Sequence, residues 1–399
     1  MAAEGPFKGK NRFPRMMWLL GRLGSSSLPP VYGNCRVLLF PRGRGFFRAL
    51  HAAIRRARGS ILVEYYLIRD DRTGRALAEA LASAVRRGVR VWLIYDALGS
   101  LETPSAFFED MARQGIEVTP FNVPSVRRGL LWFDRRDHRK MVVIDGAMAF
   151  LGGCNIGDEY SGLLQGPGRF RDFGFGISGN AVGDLVRSFR QTWWMERGEL
   201  PEVPAGVVPD PFLARSGRAG VVIVSGGPHQ RGSYIRSAFL FHIAAASEEI
   251  IIATPYFVPG LRLVRSLMRA ARRGIKVMLL LPARSDVPLV QFLGRSYYTP
   301  LLKRGIEIRE LAGEILHAKV MLVDGTRTIL GSANLDQRSF HRNFEINGIV
   351  TDARFGVQVR RMLSKDLRAA RRITLDVHEG RGWVTRILER GIGLFGRFL

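Results

Sequence analysis

One pattern of eighteen residues occurs twice in this chain, and the copies are far apart. Residues 138–155 read HRKMVVIDGAMAFLGGCN and residues 317–334 read HAKVMLVDGTRTILGSAN. In both, Lys follows His by two (His138 and Lys140; His317 and Lys319), Asp by seven (Asp145; Asp324) and Asn by seventeen (Asn155; Asn334). A single His-x-Lys is an ordinary surface accident. Two in matched positions, in a chain with 7 His, are not. Only seven of the 60 basic residues are Lys, yet both motifs carry one, so a compact ammonium is wanted there and not a guanidinium fork.

The pattern dictates a local shape. MVVID and VMLVD are apolar and β-branched, so each reads as a buried strand. Asp-Gly at 145–146 and 324–325 signals a tight turn, and AMAFLGG and TRTILGS return as the second strand of a hairpin. Residues two apart on a strand share a face, so each His projects with its Lys. The small pairs Gly152-Gly153 and Gly331-Ser332 let backbone or ligand come close. Asp145 and Asp324 fall at the turn, where pinning nearby backbone groups is the expected role.

The repeated H-x-K-x4-D-x6-G-[GS]-x-N pattern resembles the phospholipase D superfamily. Within it, the chain is similar to bacterial cardiolipin synthases of the short form, which lack N-terminal spanning helices. The likeness covers most of 35–372 and includes VEYYLIRDDRTGRALAEALASAVRRGVRV, ATPYFVPG and NLDQRSFHRNFEIN. It implies two α/β/α units related by a pseudo-twofold axis around one shared cleft. It also counts His138, Lys140, Asp145, His317, Lys319 and Asp324 together as the catalytic set.

The residue types suit phosphodiester transfer. Two ammonium groups fit an anion with delocalised oxygens, and the amides of Asn155 and Asn334 add hydrogen bonds to the phosphate. One neutral imidazole attacks phosphorus while the other, protonated, gives its proton to the leaving alkoxide. Relatives with both motifs in one chain make the first-half His the nucleophile, which carries that role to His138. The residues alone are nearly symmetric and leave the choice open. Each His needs an orienting acid. Asp172 follows the first motif and Glu345 the second, at offsets of 34 and 28, and the resemblance pairs each catalytic His with an acid placed in this way. No metal-type cluster accompanies the motifs, so no metal or other cofactor is expected. Tyr256 and Ser339 have either a substrate-path or a packing role, Arg136 either assists phosphate binding or is one more Arg of an Arg-rich chain, and His341 reads as a surface residue.

Along the chain, strand-like and helix-like stretches alternate, which predicts an α/β fold with a largely parallel sheet. VRRGVRV (85–91) recurs as ARRGIKV (271–277), so the chain is a duplication of one unit. The expected organisation is a basic segment 1–34, a first half 35–200, a Pro-rich linker 201–217, a second half 218–372 and a tail 373–399. MMWLLGRLG (16–24) is too short to span a bilayer, which takes about 20 apolar residues. Cys35 and Cys154 form no disulfide framework and suit a reducing compartment; Cys154 reads as packing.

A net charge of +25 seeks polyanions, either nucleic acid or an anionic membrane. Lipid is favoured. The resemblance runs through the segments between the motifs, and no aromatic platform for stacking bases stands out. The tail RGWVTRILERGIGLFGRFL sets Trp383, Ile387, Leu388, Phe395, Phe398 and Leu399 among Arg386, Arg390 and Arg397, which suits an interfacial helix or one docked on the protein itself. The expectation is a cardiolipin synthase that joins two phosphatidylglycerol molecules through a phosphohistidine and releases glycerol. It would act at the cytoplasmic side of the cell's inner membrane, with anionic phospholipid as partner and no specific nucleic acid. The alternatives are a phospholipase D hydrolase, another phosphatidyltransferase, a metal-independent nuclease, or a binding protein without catalysis. The sequence carries no signal of oligomeric state.

Overall fold

A computed structural model describes residues 29–124, 134–164, 168–204, 208–228 and 233–381. The basic start, with the 16–24 stretch, and the tail from residue 382 lie outside the described residues. The first half contributes β1 (Tyr32–Phe40), β2 (Ser60–Tyr65), β3 (Arg90–Asp96), β4 (Glu117–Phe121), β5 (Lys140–Ile144), β6 (Met148–Gly152), β7 (Phe170–Arg171) and β8 (Gly174–Ser178). The second contributes β9 (Ala219–Gly226), β10 (Glu249–Ala253), β11 (Phe257–Val258), β12 (Lys276–Pro282), β13 (Glu307–Leu311), β14 (Ile315–Leu316), β15 (Val320–Val323), β16 (Arg327–Gly331), β17 (Leu335–Asp336), β18 (Glu345–Thr351) and β19 (Arg371–Ile373).

Fifteen of these strands form one continuous sheet in the order β19-β13-β12-β10-β15-β16-β18-β9-β1-β8-β6-β5-β2-β3-β4. The halves mirror each other about the β9–β1 seam, where Tyr32 pairs with Val221 and Cys35 with Ala219. The expectation of a largely parallel sheet needs correction. Among the described strands of this sheet, parallel pairing is confined to β2–β3–β4 and β10–β12–β13. The motif hairpins β5–β6 and β15–β16 enter the sheet antiparallel, and so do the strands flanking them. The cause is local. Asp145 and Gly146 (φ 52° and 60°) and Asp324 and Gly325 (φ 49° and 64°) turn the chain straight back on itself.

Helices cover both faces. The amphipathic helix Arg72–Arg86, capped by Asp71 onto the Gly74 amide, lies outside the first half, and Gly260–Arg272 outside the second. The helices Val182–Arg197 and Ala353–Ala369 lie on the other face. There Phe189, Trp193, Val359 and Leu363 join Leu62, Met141, Leu280 and Leu322 in one apolar cluster. That cluster draws on both halves and holds them as a single body. Two outer clusters belong to one half each.

Candidate active site

Each motif His stands just before its hairpin, and the backbone there is tied to the opposite half. Ile315 and Leu316 of β14 pair in parallel with Phe170 and Arg171 of β7. The matching bridge joins Asp137 to Phe344. The His317 amide donates to the Arg171 carbonyl at 3.0 Å, and the His138 amide to the Phe344 carbonyl at 2.9 Å. The next residue along each partner segment is an acid, Asp172 in one case and Glu345 in the other.

The acids therefore cross over. His138 Nδ1 meets Glu345 at 3.0 and 3.1 Å, and His317 Nδ1 meets Asp172 Oδ2 at 2.6 Å. The in-half pairing expected from the motif offsets is corrected: each imidazole is oriented by the other half's carboxylate. An ionised carboxylate can only accept, so beside the ionised Glu345 the His138 Nδ1 carries the proton and Nε2 is left for chemistry; His317 is oriented in the same way whenever Asp172 is ionised.

The two acids differ. Glu345 Oε2 accepts from Ser332 Oγ at 2.5 Å and Oε1 from Ser339 Oγ at 2.8 Å. Burial works to raise its pKa, but His138, Lys140 and Ser332 outweigh burial and hold it below the usual carboxylate range. Asp172 has the Phe173 amide at 2.8 Å besides His317. Burial dominates there and lifts its carboxyl to about 7, against the pull of Lys319. Gly153 makes room for it: a Cβ at that position would lie 2.5 Å from both Asp172 oxygens. The second half puts Ser332 at the matched position and uses its hydroxyl as a donor.

Lys140 Nζ donates to the His138 carbonyl at 2.8 Å and Lys319 Nζ to the His317 carbonyl at 2.5 Å. Lys319 Nζ also lies 2.8 Å from His317 Nδ1. That nitrogen holds one proton, which Asp172 accepts, so Lys319 acts there as a neighbouring charge. Both lysines are buried, and burial first, then like charge, brings Lys140 to about 7, while burial brings Lys319 to about 8. Burial and Lys319, followed by Lys140 and His138, push His317 well down. Burial and then Lys140 and Lys319 lower His138 against the opposing Glu345. The crossed His–carboxylate contacts and the two bridges between the halves bring the motifs side by side, and charges of both motifs act on both rings. Aromatic edges flank them, with Tyr66 at 5.1 Å from His138 and Tyr160 and Phe170 at 5.3 and 5.2 Å from His317.

Asp145 and Asp324 lie away from this cleft, at the far end of the hairpins. The Asp145 carboxylate accepts from the amides of Arg58, Gly59 and Ser60, and that of Asp324 from Ser247, Glu248 and Glu249. They anchor the start of β2 and β10 to the turns, the pinning expected of residues at that place. Asn155 reaches Tyr160, whose ring edge meets His317, and the Asn334 backbone amide donates to Ser339 Oγ at 3.1 Å. Asn155 Nδ2 donates to Tyr160 Oη at 3.0 Å, and the Oδ1 of each Asn is buried without a partner. Among the other candidates, Ser339 serves Glu345, Tyr256 Oη donates to Asp286 at 2.7 Å, and Arg136 is ion-paired to Asp96 at 3.3 Å. His341 is exposed and touches Arg236. Cys35 and Cys154 are both buried free thiols.

Sequence reasoning missed a buried network behind His138. Glu64 Oε1 accepts from Arg139 at 3.2 Å and from Thr192 at 2.9 Å, with Asp137 beside it. The positions matching Asp137 and Arg139 in the second motif are Leu316 and Ala318. That contrast was available in the repeat alignment.

Comparison with known proteins identifies the family. The family described as cardiolipin synthase, PLD-like domain, matches residues 50–162 and 240–367. A cardiolipin synthase of Geobacillus kaustophilus (strain HTA426) is 37% identical over 362 residues, covering 90% of this chain and 72% of that one. Cardiolipin synthase A of Pseudomonas putida is 35% identical over 369 residues, covering 91% and 73%. The chain belongs to the cardiolipin synthase family of phospholipase D-like proteins. The fold is shared with phosphatidylserine synthase of Haemophilus influenzae Rd KW20, with a TM-score of 0.72 at 13% identity over 96% of this chain and 97% of that one.

Proposed function

We propose that this chain is a cardiolipin synthase that moves a phosphatidyl group between two phosphatidylglycerol molecules through a covalent histidine intermediate. The observation that carries the mechanism is the crossed pair of His–carboxylate contacts in one lysine-lined cleft. The phosphate of the donor sits between Lys140 and Lys319, with the amides of Asn155 and Asn334 beside it. His138 Nε2 attacks phosphorus, the bond from phosphorus to the glycerol oxygen breaks, and His317 Nε2–H protonates the departing alkoxide. A hydroxyl of a second phosphatidylglycerol then gives its proton to His317. Its oxygen bonds phosphorus and the phosphorus–nitrogen bond to His138 breaks, giving cardiolipin.

The inequality of the acids supports this division of labour. Glu345, satisfied by two hydroxyls, stays ionised and keeps the His138 lone pair at Nε2. Asp172 lacks those hydroxyls and burial lifts its carboxyl, so its pair with His317 is less firmly held in one protonation state, and the negative charge of a bound phosphate favours the protonated His317 against the lysines that push it down. Water in place of the second lipid gives phosphatidic acid, so exclusion of water sets the balance between transfer and hydrolysis.

Leu101, Leu163, Leu261, Val287 and Leu289 are exposed on segments at the same strand ends as the two His. Together with the charge of +25 they support docking onto an anionic bilayer from its cytoplasmic side. Among the described residues no helix is long and apolar enough to cross a membrane. The test is the purified chain in EDTA with phosphatidylglycerol vesicles and, separately, with DNA. Cardiolipin and glycerol are expected from the wild type and from neither His138→Ala nor His317→Ala. Nicked DNA with inert lipid would overturn the reading.

A further inference from the structure

The two halves are built alike, so a polar group present in one half of the cleft alone calls for an explanation. Asp286 is such a group. It lies on the loop after β12, and the register that aligns VRRGVRV with ARRGIKV puts Ser100, after β3, at the matched position. The Ser100 hydroxyl is committed to its own loop, accepting from the Ile68 amide at 3.1 Å and donating to the Tyr66 carbonyl at 3.3 Å. Asp286 is exposed and held differently. Its Oδ2 accepts from Tyr256 Oη at 2.7 Å and its Oδ1 from Ser285 Oγ at 3.3 Å.

Its charge reaches the chemistry. Leu280 of β12 pairs with Ala253 of β10, and Ala253 with Val320 of β15, so the loop after β12 leaves the sheet at the end where His317 precedes β15; the charge of Asp286 there bears on His317, Lys319 and Tyr160. A carboxylate there opposes the binding of an anionic phosphate, which Lys140 and Lys319 are placed to attract. Such a charge is tolerated in a substrate cleft when it accepts hydrogen bonds from the substrate itself. The part of the substrate beside His317 is the alcohol, because His317 protonates the leaving oxygen and deprotonates the entering one. Leaving and entering alcohols occupy the same place, since the second half-reaction retraces the first. A glycerol head group offers a hydroxyl beyond the reacting one.

We propose that Asp286, braced by Tyr256, is the alcohol subsite: it accepts a hydrogen bond from the non-reacting hydroxyl of a glycerol head group and so selects a polyol over water or a simple alcohol. The inference rests on the transferase reading above and adds to it the group that recognises the acceptor. Asp286 and Tyr256 take no part in bond-making; they position the acceptor.

The test is an acceptor competition with the full chain and phosphatidylglycerol vesicles, in isotopically labelled glycerol and 1-propanol at equal concentration. The readout is the ratio of labelled phosphatidylglycerol to phosphatidylpropanol, with phosphatidic acid measured alongside. This ratio is independent of how much enzyme is active. The wild type favours glycerol. Asp286→Ala lowers the glycerol-to-propanol ratio at least fivefold and raises the share of phosphatidic acid. Tyr256→Phe moves the ratio in the same direction by less. An unchanged ratio in Asp286→Ala overturns the subsite. A wild type that transfers to no alcohol overturns the transferase reading itself, and the subsite with it.

Discussion

Asp172 Oδ2 lies 2.6 Å from His317 Nδ1 although 145 residues separate them, while His138, the nearer motif His in sequence, is held by Glu345. Neither half is therefore a complete site. Asp172→Asn and Glu345→Gln should each lower cardiolipin formation by about 10³–10⁴-fold, the range for an acid that sets a catalytic imidazole's tautomer. The crossing makes a sharper prediction through double mutants. Asp172→Asn adds little to His317→Ala, and Glu345→Gln adds little to His138→Ala, because residues acting as a unit are not additive. Rates of cardiolipin formation in the two cycles check this; strong coupling of Asp172 to His138 instead would contradict it.

The sequence made the two His, the two Lys, the hairpins and the duplication legible. Continuous apolar, β-branched runs and an Asp-Gly turn act locally, and the repeat removed chance. The crossing was not legible. Asp172 and Glu345 stand closest in sequence to their own motifs, and the pairing depends on bridges between segments such as Phe170–Arg171 and Ile315–Leu316, which carry no pattern of their own. The mixed sheet was missed for a related reason. The helix–strand alternation around β2–β3 and β10–β12 is parallel, but it says nothing about the hairpins that join it.

Gly153 offers a second test of the same geometry. A methyl group there would lie 2.5 Å from both oxygens of Asp172. Gly153→Ala should push Asp172 off His317 and cost activity approaching that of Asp172→Asn, with little change in melting temperature. Ser332→Ala, at the matched position, should act differently. It removes a donor that holds the Glu345 pKa down, so that pKa rises and the acid limb of the kcat/KM profile moves to higher pH.

The buried lysines predict how binding depends on pH. Lys140 titrates at about 7 and Lys319 at about 8 in the free site, and only the charged forms hold a phosphate. Their folded pKa values lie below the ordinary 10.5, so charge is lost as pH rises through 7 to 8 and KM should climb above that window. The climb approaches about tenfold per pH unit for each lysine that must be protonated. Below the window, KM levels off. The phosphate's negative charge raises both pKa values, so binding a short-chain phosphatidylglycerol near pH 8 should take up protons, measurable by calorimetry in buffers of different ionisation enthalpy. A flat KM from pH 6 to 9 without proton uptake would contradict the two-lysine clamp.

Asp145 and Asp324 should matter for folding. Asp145→Ala deprives three backbone amides of their acceptor and leaves Ala at a positive φ of 52°. A loss of about 2–4 kcal/mol is expected, since hydrogen bonds to charged groups contribute about 1.5–3 kcal/mol and partial rehydration offsets some of it. Chemical denaturation checks the loss. Activity per folded molecule should stay near wild type; an undestabilised but inactive Asp145→Ala would show that the motif Asp does chemistry after all.

The most direct measurement is capture of the intermediate. The wild type is mixed with phosphatidylglycerol labelled in its diacylglycerol part, quenched in alkali where phosphohistidine survives, and digested for mass spectrometry. The account predicts a phosphatidyl or phosphate adduct on the peptide bearing His138, absent in His138→Ala and accumulating in wild type when acceptor is scarce. Cardiolipin made at full rate with no adduct on either histidine, or with His138→Ala still active, would contradict it.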